Sequence, residues 1–161
     1  MIQPSGRHCA LIIALSLCSS CRNEATAPPP APTESHAEAA DYQGRWLVIN
    51  YWAEWCAPCR EEIPELNQLA AHAPTRIAVA GVNFDGLIGI ELNAVEEAMG
   101  IAFTTLTEDP AAQFGYPRPV ALPTTVLVNP EGTVLEQLQG PQTFSQLLAL
   151  IDQRDREAAA Q

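Results

Sequence analysis

The chain has 161 residues with 8 basic and 19 acidic side chains, a formal charge of −11. All eight basic residues are Arg and they are scattered, so there is no basic stripe for phosphate contacts, which argues against nucleic-acid binding. The length holds one domain of ordinary size plus extra segments, not two full domains, and 47% apolar residues suffice for a core.

The N-terminus carries Arg7 and then an apolar run from Cys9 to Cys18 (CALIIALSLC). That run is too short for a spanning helix, which needs roughly 20 apolar residues. A basic start, a short apolar run and small residues after it predict an export signal over residues 1–20. The run ends Leu17-Cys18-Ser19-Ser20-Cys21. This resembles a bacterial lipoprotein cleavage site, with Cys21 as the residue to be lipidated. The match departs from that pattern at Cys18, where an aliphatic residue is usual, and Cys18 itself follows a bulky Leu17. A simply secreted form is the alternative. Residues 21–40 are polar and contain Pro28, Pro29, Pro30 and Pro32, which favour extended polyproline conformations, so they read as a semi-rigid linker. His36 is a solvated linker residue on this reading.

From Asp41 to Glu157 the pattern is that of one α/β domain. Trp46-Leu47-Val48-Ile49-Asn50-Tyr51-Trp52 is a nearly continuous apolar run, as in a central strand buried on both faces. From Cys59 the period becomes helical, with Ile63, Leu66 and Ala70 on one face and Pro64 expected to kink the helix. A second buried strand covers 76–83, and β-α-β in this order implies a right-handed crossover between parallel strands. A helix over 90–99 ends at Gly100, and a helical turn falls at 111–114. Two β-rich runs, 124–128 and 133–135, flank Asn129-Pro130-Glu131-Gly132 as a hairpin. The last helix opens with a capping box, Thr143 to Gln146. The predicted order is β-α-β-α-β-β-α with an extra helix, and no internal repeat is visible.

Of five cysteines, Cys9, Cys18 and Cys21 belong to the export segment, which leaves Cys56-Ala57-Pro58-Cys59 inside the domain. This pair stands where a buried strand gives way to a helix. Unsatisfied N–H groups and the helix dipole there favour a thiolate, and only the thiolate attacks disulfides. Each unit of pKa depression is worth roughly 1.4 kcal/mol in favour of the charged form. Cys56 is therefore the expected nucleophile, and Cys59, one turn in, the resolving thiol. Zinc usually takes four ligands, and the domain offers one cysteine pair and a single histidine, His72, expected at the surface. A bridge across two residues constrains little of the unfolded chain, so an inert staple is a poor use of it.

Trp52-Ala53-Glu54-Trp55-Cys56-Ala57-Pro58-Cys59-Arg60 resembles the active site of thioredoxin-fold proteins. Leu122-Pro123-Thr124-Thr125 resembles the loop that bears their cis-proline, and Asn129-Pro130-Glu131-Gly132 the hairpin turn that follows. The resemblance covers about residues 41–155. Within that superfamily the chain is most similar to the TlpA/ResA-like thiol-disulfide reductases: Glu62 and Pro64 follow Cys59 as in their C-x-x-E-x-P pattern. Asn50 stands where thioredoxin carries a buried Asp, and a helix is inserted near 90–99. The loop at 116–122 departs from the family, being longer and having Ala121 where Gly is common.

The resemblance implies a thioredoxin-like fold, a central mixed sheet with flanking helices. It also implies a periplasmic thiol-disulfide oxidoreductase that reduces disulfides of client proteins through Cys56 and Cys59. Glu62 would be the proton acceptor and Pro123 the residue beside which a client strand pairs. Electrons would come from a membrane-embedded thiol transporter rather than from a bound cofactor. Membrane contact would run through the lipid anchor only. Two alternatives use the same thiols: an oxidase or isomerase, which differs only in reduction potential, and a Cu(I)-binding chaperone. No Met-rich or His-rich segment accompanies the pair. A peroxidase is disfavoured because the resolving thiol lies so close.

Overall fold

A computed structural model describes residues 39–160. The expected export signal, Cys21 and nearly all of the expected linker lie outside the described residues. The domain begins with a single 3-10 turn, Ala39–Tyr42, and then enters the first strand, β1 (Trp46–Trp52). Helix α1 (Ala57–His72), strand β2 (Ile77–Asn83) and helix α2 (Gly89–Met99) follow. After them come β3 (Thr104–Thr105), α3 (Ala111–Phe114), β4 (Thr124–Val128), β5 (Val134–Gln139) and α4 (Phe144–Ala159).

The five strands form one mixed sheet in the order β3-β2-β1-β4-β5. β1 pairs with β2 in parallel and with β4 antiparallel, β2 pairs with β3 in parallel, and β4 and β5 form the antiparallel hairpin. β1 is thus central, and every one of its residues is buried. Leu47, Ile49 and Tyr51 face one side with Ala78, Ala80 and Val126, under Ala111 and Tyr116. Trp46 and Val48 face the other, against Leu66 and Leu69 of α1 and Leu147 and Ile151 of α4. Both sides of β1 are covered, which is why its sequence is apolar throughout rather than alternating.

Three features differ from the sequence reading. β3 was not foreseen, because two residues at a sheet edge carry no periodicity. β5 runs to Gln139 instead of ending at Leu135, and its pairing skips Leu135 between Val128↔Val134 and Leu127↔Glu136. This bulge turns Val134 and Leu138 to opposite faces of the sheet, so the strand lacks a simple alternation. α1 begins at Ala57, two residues before the helical period shows, and it holds Pro64 within its span. Pro64 and Arg60, whose carbonyl its missing N–H would have served, are both exposed, so water can take that bond. Gly100 closes α2 in the left-handed conformation (φ 69°), with its N–H donating to the Glu96 and Glu97 carbonyls.

Candidate functional site

β1 ends at Trp52, and the four residues from Ala53 to Cys56 carry the chain into α1. Cys56 is the N-cap of α1, with an extended backbone, and its Sγ accepts from the Cys59 N–H at 3.2 Å. Cys56 and Cys59 are joined by a disulfide with their Cα atoms 5.3 Å apart. Cys56 keeps 4% of its surface and Cys59 none, so the outer sulfur belongs to the residue at the helix end. Behind the pair lies an apolar cluster of Trp52, Ala53, Ile63, Leu92 and Met99, to which the inserted helix α2 contributes two side chains.

Glu61, Glu62 and Glu65 do not form one solvated face. Glu61 is exposed, Glu62 is 1% exposed, and Glu65 accepts the Phe144 N–H at 2.9 Å at the start of α4. Glu62 Oε1 accepts from Asn50 Nδ2 at 2.7 Å, and Oε2 accepts from the Gln142 backbone N–H at 3.0 Å. Burial pushes the Glu62 carboxyl up to about 7, against the opposing pull of the Gln142 and Asn50 hydrogen bonds. Desolvation wins because two donors do not replace the hydration of a carboxylate. Glu62 therefore exchanges its proton near neutral pH, one helical turn after Cys59.

Asn50 and Gln142 were not assigned a role as partners of Glu62 from the sequence. Asn50 could have been found as a polar residue inside an otherwise apolar strand. Gln142 contributes only its backbone, so no sequence signal marks it. The Leu122–Pro123 peptide is cis, and the Pro123 carbonyl accepts the Gly140 N–H at 2.9 Å. The segment from Gly140 to Gln142 thus touches both Pro123 and Glu62. His72, the last residue of α1, is exposed and its ring meets Phe144 at 5.1 Å, away from the disulfide.

Trp55 stands beside Cys56 and is 66% exposed, whereas Trp52 is fully buried. The two largest cavities described, of about 340 and 350 Å³, are lined by residues such as Tyr42 and Phe114, and Leu135 and Arg154, and neither reaches the cysteines. Among the described residues no helix is long and apolar enough to cross a membrane.

Residues 21–137 match the AhpC/TSA family. The chain is 34% identical to the thiol:disulfide interchange protein HelX of Rhodobacter capsulatus over 125 residues, 76% of this chain and 69% of HelX. It is 29% identical to the thiol-disulfide oxidoreductase ResA of Bacillus subtilis over 111 residues, 68% of this chain and 62% of ResA. The match therefore spans somewhat less than two thirds of ResA. Among solved structures, a DsbF homologue from Corynebacterium diphtheriae superposes with a TM-score of 0.61 at 26% identity, covering 71% of this chain and 74% of that one. The fold is thioredoxin-like, a mixed five-stranded sheet with flanking helices.

Proposed function

The chain belongs to the AhpC/TSA family, and from that premise we propose that it is an extracytoplasmic thiol-disulfide oxidoreductase that reduces disulfides of client proteins. The observation that carries this reading is the Cys56–Cys59 disulfide at the N-terminus of α1, with its outer sulfur at the helix cap. The names of HelX and ResA support the reaction class.

In the working cycle the reduced Cys56 thiolate attacks one sulfur of a client disulfide, and the other client sulfur leaves as a thiolate. Cys59 then loses its proton and attacks Cys56 Sγ, which releases the second client thiolate and closes the Cys56–Cys59 disulfide. Two electrons pass to the client, and its two thiolates take up protons. Donors at the helix end stabilise the attacking thiolate. Glu62, with a pKa of about 7, is the acceptor for the Cys59 proton. Pro123 offers no N–H, which leaves the backbone before it open to a client strand.

Reduction of the chain's own disulfide takes two electrons per cycle, and a membrane-embedded thiol transporter is the donor on this reading. Export and lipidation at Cys21 place the domain beside such a donor. They rest on the apolar run, Ser19-Ser20-Cys21 and the Pro-rich linker.

Equilibration of the Cys56–Cys59 couple with glutathione at known poise tests the direction. A couple well below glutathione supports reduction of clients. A strongly oxidising couple turns the assignment to a disulfide oxidase, since about 30 mV changes the balance by 1.4 kcal/mol.

A further inference from the structure

The loop at 116–122, where the chain departs from its resemblance, is tied to the disulfide face by Leu122, which packs on the cluster holding the cysteines, and by Arg118. Arg118 Nε donates to Asp109 Oδ2 at 2.7 Å, and its Nη2 donates to the Phe84 carbonyl at 2.9 Å. The guanidinium carbon lies 4.4 Å from the centre of the Phe84 ring. Phe84 in turn meets Trp55 edge to face at 6.4 Å, and Asp85 accepts the Trp55 indole N–H at 3.0 Å. Trp55 immediately precedes Cys56, and Val120, two residues after Arg118, is 91% exposed. Three separate segments around the disulfide are thus linked through one guanidinium.

The anchor of this guanidinium is rooted in the central strand. Asp109 Oδ1 accepts from the Tyr51 hydroxyl of β1 at 2.6 Å and from the Ala111 N–H at 3.0 Å. The Tyr51 hydroxyl also meets that of Tyr116, the first residue of the loop, at 2.9 Å. Burial works against the Asp109 carboxylate, but the bonds from Tyr51, Ala111 and Arg118 outweigh it and hold its pKa below the ordinary value. A Lys at 118 could pair with Asp109 but could not also lie flat on Phe84 and reach its carbonyl, because only guanidinium has the planar fork.

Building on the exchange reading above, we propose that Arg118 is a positioning residue that determines which polypeptides the Cys56 face accepts. It staples the 116–122 loop to the segment after β2, and so holds Trp55 and Val120 ready as apolar contacts for the chain that flanks a client disulfide. A face already ordered before binding loses less conformational freedom when the client docks. Arg118 touches neither sulfur, so its removal acts on client binding and leaves the chemistry of a small disulfide alone.

The test compares wild type with Arg118→Ala, Arg118→Lys and Arg156→Ala, the last removing an exposed positive charge from the last turn of α4 without touching the staple. One substrate is a synthetic peptide cyclised by a disulfide with apolar residues beside its cysteines, and the other is hydroxyethyl disulfide. Arg118→Ala is expected to raise KM for the peptide about five- to tenfold, with kcat and the hydroxyethyl disulfide rate within about twofold of wild type. Arg118→Lys should recover less than half of that loss, and Arg156→Ala should stay within about twofold throughout. Iodide quenching supplies a readout free of activity, because Trp46 and Trp52 are buried and iodide reaches Trp55 alone. Its quenching constant should rise in both Arg118 variants. Unchanged peptide KM or unchanged quenching in Arg118→Ala overturns the staple, as does full rescue by Lys or an equal effect of Arg156→Ala. A wild-type chain that exchanges neither disulfide sinks the functional reading instead, and the quenching then judges the staple by itself.

Discussion

Asn50 Nδ2 donates to Glu62 Oε1 at 2.7 Å, a bond between the central strand and the first helix with both side chains shut off from water. Asn50 cannot titrate, so the one exchangeable proton of this pair belongs to Glu62. The Asn50 amide also reaches Thr125 Oγ1 at 3.3 Å, which ties the pair to β4 just beyond Pro123. The carboxylate is therefore held by Asn50 of β1 and the Gln142 backbone, with Thr125 of β4 bracing the Asn50 amide.

Glu62 should make stability depend on pH. Its pKa lies at about 7 in the folded chain against 4.5 for the ordinary side chain, so the folded state binds more protons between those values. The stabilising contribution is complete below about pH 4.5 and is lost as pH rises through 7, a span of roughly 3 kcal/mol at 1.36 per unit. Urea unfolding of oxidised wild type and Glu62→Gln at several pH values between 5 and 8 measures it. The variant should lose most of this decline. Parallel curves for the two proteins would show that Glu62 does not titrate in this window.

The same proton should be visible in the thiols. Alkylation of the reduced pair as a function of pH is expected to show coupled steps in wild type and a simpler curve in Glu62→Gln, because a nearby carboxylate discourages a second anion. Glu61→Gln, whose carboxylate is exposed, should superimpose on wild type. Three identical curves would remove Glu62 from the exchange step.

Cys59→Ser should accumulate a stable mixed disulfide with a disulfide substrate, whereas Cys56→Ser should not. The ordering follows from the residual exposure of Cys56 and the complete burial of Cys59. Equal trapping by both variants, read on a non-reducing gel, contradicts the assignment.

Gly81→Ala should destabilise the domain by about 1–3 kcal/mol through overpacking. A Cβ at Gly81 would stand 2.7 Å from Trp52 Nε1 and 3.1 Å from both Phe103 Cε2 and Thr105 Oγ1. Trp52 is wholly buried behind the cysteines, so it has little room to yield. A change in unfolding free energy below about 0.5 kcal/mol would mean that the Trp52 ring moves freely.

Mass spectrometry of the mature chain from a bacterial host should find a lipid-modified N-terminus at Cys21. An unmodified N-terminus at another residue would rule out the anchor and leave a secreted form.

What the sequence by itself determined is the part written in local pattern. An unbroken apolar run that ends in Cys56-Ala57-Pro58-Cys59 specifies a buried central strand delivering two thiols to a helix end, because both the strand and the cap are short-range structures. The helix over Ala111–Phe114, the Gly100 cap and the Thr143–Gln146 capping box were legible for the same reason. Only the tertiary structure separated Glu62 from Glu61 and Glu65: three carboxylates within five positions differ by which of them the sheet and the start of α4 cover. Thr104 and Thr105 favour extension, but a two-residue strand such as β3 forms only because β2 offers it a partner. Arg118 meets Phe84 from 34 positions away, and its exposure to one ring, one carbonyl and one carboxylate comes from packing that no local pattern encodes.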